Sequence, residues 1–186
     1  MTGKLAERGL VILDRDGVIN QDSREFVKSA DEWLPINGSI RAIARLARAG
    51  FTIAVASNQS GLARGLLDND ALLAMHQKLR GLVAAEGGRV DRIVVCPHGP
   101  DDGCTCRKPA PGLLLQLGEY YGIGLEGIPV IGDSLRDLAA AAAVGAEPIL
   151  VRTGNGAETE RQLAARFRAV DVYDDLAAAA AALASR

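Results

Sequence analysis

Two aspartates stand two residues apart directly after a compact apolar run near the start of the chain. The run is GLVILD (9–14), and the pair is Asp14 and Asp16. Two carboxylates at this spacing can bind one metal ion, or one can attack as a nucleophile while the other transfers protons. Taken alone, such a pair is more often two solvated acids in a loop. It becomes informative only in combination with the polar residues at the ends of the other apolar runs.

Three further polar segments follow later apolar runs, two of them directly and one after the cysteine-containing segment. The turn 57–60 offers hydroxyl, amide and backbone N–H groups that suit an anion, and residues 107 and 108 are both cations. Asp133 and Asp137 are acids four residues apart at the start of a predicted helix. By themselves these segments also fit an ordinary polar turn, a solvated basic pair and a helix cap at Asp133. Their order along the chain must decide between the two interpretations.

The three cysteines and one of the two histidines form a separate cluster. The spacing is Cys96-x-His98, five residues, and then Cys104-x-Cys106. Three thiolates and one imidazole can close a tetrahedral zinc site of the structural type, with no open position. Free thiols and a redox pair at 104–106 are the alternatives. The other histidine, His76, lies mid-helix without a neighbouring ligand, which indicates a structural or solvated side chain.

Strands and helices alternate along the sequence. Strands are predicted at 9–14, 51–59, 90–97, 128–133, 147–154 and, more weakly, 169–172; helices are predicted at 38–50, 68–87, 111–122, 134–145 and in the alanine-rich C-terminal segment. This alternation predicts one α/β domain over residues 1–186, with a parallel sheet covered on both faces. Ligands of such sheets bind beyond the carboxyl ends of the strands. The polar segments are therefore expected to meet at one edge.

The amino-acid composition limits the kinds of molecule that this protein is expected to bind. A net charge of −2 over 186 residues, without a basic block, argues against nucleic-acid binding. Neither a signal peptide nor an apolar stretch long enough to span a bilayer is seen, so we expect a cytoplasmic protein without membrane contact. An odd number of cysteines in that reducing compartment disfavours a disulfide framework. We expect a monomer acting on a small molecule.

Taken in order, the segments resemble the four motifs of the haloacid dehalogenase (HAD) superfamily of phosphotransferases. The matching stretches are DRDGVIN, SN, K and GDSLRD, and the resemblance covers essentially the whole chain. It implies a Rossmann-like three-layer sandwich. Because the first insertion (20–36) is short, it also implies that no large cap domain is present.

Carried over by position, the resemblance implies a role for each motif residue. Asp14 is the nucleophile and Asp16 the general acid/base, while Ser57 and Lys108 hold the transferring phosphoryl group. The implied reaction proceeds through an aspartyl-phosphate, whose formation and hydrolysis both need proton transfers. Because a phosphoryl group carries spread negative charge, cationic and N–H stabilisation should dominate catalysis.

The resemblance also implies a catalytic Mg²⁺. Its ligands would be Asp14, the backbone carbonyl of Asp16, and Asp133, with Asp137 supporting the site. A divalent cation offsets the repulsion between a carboxylate and a phosphate dianion. Mg²⁺ characteristically binds through a few carboxylates, waters and the phosphate itself.

A zinc loop just before the motif lysine resembles a branch of this superfamily that contains heptose-bisphosphate and histidinol-phosphate phosphatases. SNQSGLARG (57–65) and CRKPAPG (106–112) are similar to the heptose enzymes. This similarity implies hydrolysis of the 7-phosphate of D-glycero-D-manno-heptose 1,7-bisphosphate in nucleotide-heptose synthesis. The implied substrate-binding residues are Asn58, Gln59, Ser60, Arg64 and Arg107.

Within that branch, Arg64 and Arg107 are the residues suited to neutralise a second phosphate, since guanidinium groups bind phosphate oxygens in pairs. Two alternatives stay open at this point. One is hydrolysis of histidinol phosphate. The other is a non-catalytic zinc-binding module whose acids only bind metal.

Overall fold

A computed structural model describes residues 3–23, 25–163, 167 and 170–186. Strands and helices alternate along these residues, as predicted. The strands are β1 (Leu10–Leu13), β2 (Thr52–Asn58), β3 (Arg92–Cys96), β4 (Pro129–Gly132), β5 (Glu147–Val151) and β6 (Asp171–Tyr173). The helices are α1 (Ser39–Arg48), α2 (Asn69–Ala85), α3 (Gly112–Tyr121), α4 (Leu135–Ala143), α5 (Gly156–Arg161) and α6 (Leu176–Ser185).

The six strands form one parallel sheet in the order β3-β2-β1-β4-β5-β6. The predicted parallel sheet is therefore confirmed. β1 lies in the middle, and its last residue, Leu13, pairs with Val55 on one side and Ile131 on the other. Because these strands run the same way, the residues that come after β1, β2 and β4 emerge side by side. This register is what brings the polar segments together.

Helices cover both faces of the sheet, which gives the three layers. Alternate residues of β1 point to opposite faces, and each face has its own apolar cluster. Val11 and Leu13 pack with side chains of α1, α2 and α6, whereas Leu10 and Ile12 pack with α3 and α4. All four β1 side chains are buried because both faces are covered. No helix within the described part of the chain combines the length and apolar character that crossing a bilayer requires.

Three local features differ from the sequence prediction. The helix α5 is an addition to it, since GAETER has no apolar periodicity. Ser134, not Asp133, caps α4: its side chain and that of Asp137 form a capping box. β6 begins at Asp171, and position 169 of the strand predicted at 169–172 lies outside the described residues.

The short insertion between β1 and α1 packs against the sheet's flank. Trp33 is fully buried, Asn20 forms a bridge with Pro35, and Lys78 Nζ donates to the carbonyl oxygens of Ala30 (2.6 Å) and Trp33 (2.9 Å). The insertion thus forms a fixed wall beside the end of β1.

Candidate active site

A cavity of about 340 Å³ opens at the carboxyl ends of β1, β2 and β4. It brings together the predicted site residues outside the cysteine cluster: Asp14, Asp16, Ser57, Asn58, Gln59, Ser60, Arg64, Arg107, Lys108, Asp133 and Asp137. It is also lined by residues that the sequence analysis did not single out: Arg15, Asp22, Ser23, Phe26, Val27, Pro100, Ser134, Arg136 and Asn155. The predicted meeting of the strand ends is therefore observed in the fold.

Lys108 occupies the floor of the cavity. Its Nζ lies 2.8 Å from Asp14 Oδ1 and 2.6 Å from Asp137 Oδ1, and it donates to the carbonyl oxygen of Ala56 at 2.8 Å. Burial alone would lower the pKa of Lys108, but the charges of Asp137 and Asp14 hold it above its usual value. Lys108 is thus a permanent cation beside the Asp14 carboxylate.

Asn58 fixes the main chain of that lysine. Its Oδ1 accepts a hydrogen bond from the Lys108 N–H and its Nδ2 donates to the Lys108 carbonyl, both at 3.0 Å. The amide of Asn58, predicted to bind substrate, is thereby committed to connecting β2 with the Lys108 loop. It still lines the cavity beside Ser60.

Three carboxylates converge next to Lys108. Oxygens of Asp14, Asp133 and Asp137 all lie within 4.8 Å of one another. Burial raises the pKa of Asp14 to about 8; Lys108 opposes this shift, while the charges of Asp137 and Asp133 add to it. One ammonium group does not balance three acids, two of which are buried. The donor set therefore fits a divalent cation that prefers oxygen ligands, as Mg²⁺ does.

The two other acids of this cluster are each held by neighbours. Asp133 Oδ2 accepts from the backbone N–H (2.7 Å) and the Nδ2 (3.1 Å) of Asn155, the residue just before α5. Burial raises the pKa of Asp133 to about 6, and the charge of Asp137 adds to the shift. Asp137 Oδ2 accepts from the N–H (3.1 Å) and Oγ (2.5 Å) of Ser134. Both carboxylates thus keep one fixed orientation.

Glycines make room for Asp133. Gly17 and Gly154 both have positive φ, at 83° and 58°, and a Cβ on either would overlap the Asp133 carboxylate. Gly154 and Asn155 come after strand β5, at the same edge as the motif residues. Their position after a predicted strand was the available signal, but no charged side chain drew attention to them.

Asp16 lies at the side of the cavity and is surrounded by donors. Its Oδ1 accepts from Arg15 Nη2 and Asn20 Nδ2, both at 2.9 Å, and its Oδ2 accepts from Gln59 Nε2 at 2.8 Å. Burial alone would raise the pKa of Asp16, but the Arg15 guanidinium and these hydrogen bonds bring it below its usual value. Ser57 Oγ, 3.5 Å from Asp16 Oδ2, is the neighbouring hydroxyl.

Three guanidinium groups surround the mouth. Arg64 stacks over the Phe26 ring at 5.4 Å from its centroid, and Arg107 Nη1 donates to the His98 carbonyl oxygen at 3.2 Å. Arg136, at the start of α4, is exposed. Among the residues that the structure describes, none of the three forms an ion pair with a carboxylate. This positive rim suits an anionic ligand.

The cysteine cluster lies beyond the end of β3, where Cys96 is the last strand residue. Four ligand atoms face one another: Cys96 Sγ is 3.6 Å from His98 Nδ1 and 3.7 Å from Cys104 Sγ, and Cys106 Sγ is 3.3 Å from His98 Nδ1 and 3.6 Å from Cys104 Sγ. Tetrahedral zinc bonds of ~2.0 Å to nitrogen and ~2.3 Å to sulfur separate such atoms by about 3.5–3.8 Å. The cluster therefore fits a structural zinc, and its cysteines are not in disulfides.

The loop that carries this cluster continues directly into the cavity. The Arg107 guanidinium donates to the His98 carbonyl, and the Gly112 N–H donates to the Thr105 carbonyl at 3.1 Å. A Cβ at Gly112 would overlap that carbonyl, so the loop closes tightly on the start of α3. An ordered cysteine loop therefore constrains the positions of Arg107 and Lys108, which follow it directly in the chain.

Comparison with known proteins agrees with this geometry. Residues 105–179 match a family described as HAD-hydrolase-like. A D-glycero-beta-D-manno-heptose-1,7-bisphosphate 7-phosphatase from Pseudomonas aeruginosa is 58% identical over 176 residues, covering 95% of this chain and 98% of the relative. The chain belongs to this heptose-bisphosphate phosphatase family. The resemblance to the HAD superfamily is confirmed.

Solved structures of the same family share the fold. The D,D-heptose 1,7-bisphosphate phosphatase of B. bronchiseptica, crystallised with magnesium and phosphate, superposes with a TM-score of 0.91 at 54% identity, covering 95% of this chain and 98% of that one. The Burkholderia thailandensis enzyme gives a TM-score of 0.76 at 42% identity, with 96% and 99% covered.

Proposed function

We propose that this protein is a Mg²⁺-dependent phosphatase that removes the 7-phosphate of D-glycero-D-manno-heptose 1,7-bisphosphate. The observation that carries the proposal is the Asp14 carboxylate, held beside Lys108 at the floor of a cavity with a positive rim. Family membership supports the substrate, since relatives over nearly the whole chain bear this name. The product would feed nucleotide-heptose synthesis.

In the first half of the reaction, an oxygen of Asp14 attacks phosphorus. The P–O bond to the sugar breaks, and its electron pair stays on the sugar oxygen, which takes a proton from Asp16. In the second half, Asp16 takes a proton from the water that hydrolyses the aspartyl-phosphate. Because both groups lie within three residues of the end of β1, the rigid strand end sets their separation.

The chain supplies the remaining stabilisation through cations and donors. Lys108 and the Ser57 hydroxyl hold the transferring phosphoryl group. Asp14, the carbonyl oxygen of Asp16, and Asp133 would hold Mg²⁺, with Asp137 keeping Lys108 in place. When bound, the cation offsets charge on the phosphoryl oxygens and allows the Asp14 carboxylate to approach them. The convergence of the carboxylates supports this assignment.

The second phosphate of the substrate would bind at the rim. Arg64 and Arg107 are the predicted partners, and Arg136 lies on the same cavity wall. In the described part of the chain, none of these three arginines forms an ion pair with a carboxylate, so no ion pair has to break before phosphate binds. Gln59, Ser60 and Asn58, also predicted to bind the substrate, line the same cavity.

The zinc site is proposed as structural. Its four ligands leave no open position for catalysis, and the loop that they would close carries Arg107 and Lys108. Free thiols suit a reducing cytoplasm. We keep a single-domain monomer as part of the proposal, with size-exclusion chromatography and light scattering as the measurement.

The direct test is phosphate release by the purified enzyme with Mg²⁺. Heptose 1,7-bisphosphate and histidinol phosphate are compared side by side by kcat/KM, with both anomers of the bisphosphate included. We expect a preference of at least about tenfold for the bisphosphate because only it can use the rim arginines. Equal or greater activity on histidinol phosphate would overturn the substrate assignment. Hydrolysis of no phosphate ester would overturn the phosphatase itself.

A further inference from the structure

The side chain of the proposed acid/base, Asp16, forms a closed ring of hydrogen bonds with the side chains of Arg15 and Gln59. Arg15 Nη2 donates to Asp16 Oδ1 at 2.9 Å and to Gln59 Oε1 at 3.1 Å. Gln59 Nε2 then donates to Asp16 Oδ2 at 2.8 Å. Both oxygens of the carboxylate and both ends of the amide are therefore used within the ring.

Two members of the ring, Arg15 and Gln59, are buried although Arg15 carries a positive charge, while the side chain of Asp16 is 21% exposed and lines the cavity. Arg15 is 1% exposed and Gln59 is 5% exposed. Burying a guanidinium is costly unless a carboxylate and further hydrogen bonds compensate it. Asp16 is the one carboxylate with which Arg15 forms an ion pair in the described residues. Nothing else in that part of the chain competes with Asp16 for this charge.

The same amide also connects Asp16 to the residue predicted to hold phosphate. Gln59 Nε2 donates to Ser57 Oγ at 2.8 Å, in addition to its bond to Asp16. Asn20 Nδ2 closes the opposite side of the Asp16 carboxylate at 2.9 Å. With donors on both sides, Asp16 has one orientation that satisfies all of them. That orientation is set relative to Ser57, and hence to the phosphoryl group.

We propose that Arg15 and Gln59 are positioning residues that aim Asp16 at the oxygen leaving the substrate. Gln59 then acts through Asp16 and does not itself recognise the sugar, in contrast to the role predicted from the sequence. This inference rests on the proposed function, because it takes Asp16 as the acid/base. Proton transfer is efficient only within hydrogen-bond reach, so a misplaced Asp16 loses most of its effect.

The consequence depends on the leaving group. When the P–O bond of a sugar phosphate breaks, the departing alkoxide is strongly basic and needs the proton from Asp16. When the same bond breaks in p-nitrophenyl phosphate, the nitrophenolate is a weak base and departs without it. A misplaced Asp16 should therefore lower kcat/KM for hydrolysis of the sugar ester more than kcat/KM for hydrolysis of the aryl ester.

The experiment compares kcat/KM of Gln59→Met on heptose 1,7-bisphosphate and on p-nitrophenyl phosphate. Methionine keeps the length of the side chain and removes its hydrogen bonds. We expect kcat/KM for the sugar ester to fall about tenfold further than kcat/KM for the aryl ester, mainly through kcat, because the aryl ester loses only what the Gln59–Ser57 hydrogen bond contributes to holding the phosphoryl group. Asp16→Asn should give the same selectivity with a larger loss.

The matched control is Gln162→Met, since the Gln162 amide is exposed and bonds to Glu158. This control should leave kcat/KM unchanged for both esters. Arg15→Lys is the second variant, accompanied by its unfolding transition to show that it folds. It should reproduce the selective loss.

Other outcomes overturn the inference. An equal loss on both esters, a loss confined to the KM of the sugar ester, or no loss on either would show that Gln59 does not act through Asp16. If the wild-type enzyme hydrolyses the aryl ester but not the sugar bisphosphate, the substrate assignment fails. The positioning test then continues with any alkyl phosphate that the enzyme accepts.

Discussion

Two clusters in this molecule gather metal-binding side chains within the same 4.8 Å, yet they are built in opposite ways. The zinc-type cluster takes its four ligands from eleven consecutive residues, 96–106. The acid cluster takes Asp14 from the end of β1 and, more than a hundred residues later, Asp133 from the end of β4 and Asp137 from the first turn of α4. One is closed by a local loop, and the other exists only when β1 and β4 pair.

The clusters also differ in charge. Two ion pairs bind Lys108 to the acid cluster, so part of its negative charge is already offset by the protein. The cysteine loop has no comparable cation at its thiols among the described residues; Arg107 instead donates to a main-chain carbonyl there. The charge of the acid cluster is therefore partly neutralised by a protein cation, whereas the thiols have no such partner among the described residues.

The largest effect should come from Asp14→Asn. The amide cannot form a phosphoryl-enzyme, so turnover should fall by at least about 10³-fold. Zinc content should stay at one equivalent per chain, because the two clusters share no ligand. Phosphate release and elemental analysis measure the two effects. Full activity in the variant would refute the nucleophile.

Cys104→Ser should produce the complementary result. Zinc content should fall, and Tm should drop by at least about 5 °C, which is roughly 2 kcal/mol in a chain of this size. Activity should decline several-fold because Arg107 and Lys108 lose their support. Thr105→Ser, an exposed change in the same loop, is the control and should keep the metal. Unchanged zinc and unchanged rate in Cys104→Ser would contradict the structural role.

Asn155→Ala tests how the acid cluster is held. Asp133 would lose the side-chain hydrogen bond and the firm placement of the backbone donor beside it, so the Mg²⁺ concentration needed for half-maximal activity should rise about tenfold. The saturating rate and the zinc content should change little. Asn69→Ala, on an exposed position of α2, serves as control. An unchanged magnesium requirement would show that Asn155 is not part of the site.

The smallest effect involves His76, which belongs to neither cluster. Burial and then the Arg15 and Arg80 charges lower its pKa to about 4, below the unfolded value of 6.5. The folded state therefore favours the neutral ring. Stability from this group is complete above pH 6.5 and is lost as pH falls towards 4. Between pH 7 and 5, the free energy of unfolding of His76→Leu should fall by about 2 kcal/mol less than that of the wild type. Denaturant unfolding at both pH values measures the difference, and equal losses would contradict it.

The sequence predicted more of the fold than of the contacts. Six strands, the last of them with its start displaced, and five helices were located because apolar runs, helical periodicity and glycine stops coincide. An example is α3, which ends at Tyr121 and is followed by Gly122 in the left-handed conformation. The helix α5 was missed because its six residues carry no apolar stripe. The helix cap at Asp133, the alternative interpretation of that segment, is not observed because Ser134 and Asp137 satisfy the helix start together.

Many of the residues lining the cavity were predicted from the sequence, but their hydrogen-bond partners were not. Asn58 and Gln59 were assigned to substrate from their motif. The structure shows that their amides bond to Lys108 and to Asp16. In the sequence Arg15 is only a spacer between two aspartates, since nothing there shows that its side chain turns inward and is buried.

The sequence by itself determined those features that depend only on residues close together in the chain. The cysteine spacing, the alternation of strands and helices, and the residue types at each strand end can all be read within short windows. The tertiary structure alone decided which of those ends become neighbours, because sheet order depends on pairing between distant strands. Only that pairing sets Lys108 against Asp14 and Asp137, and Gln59 against Asp16.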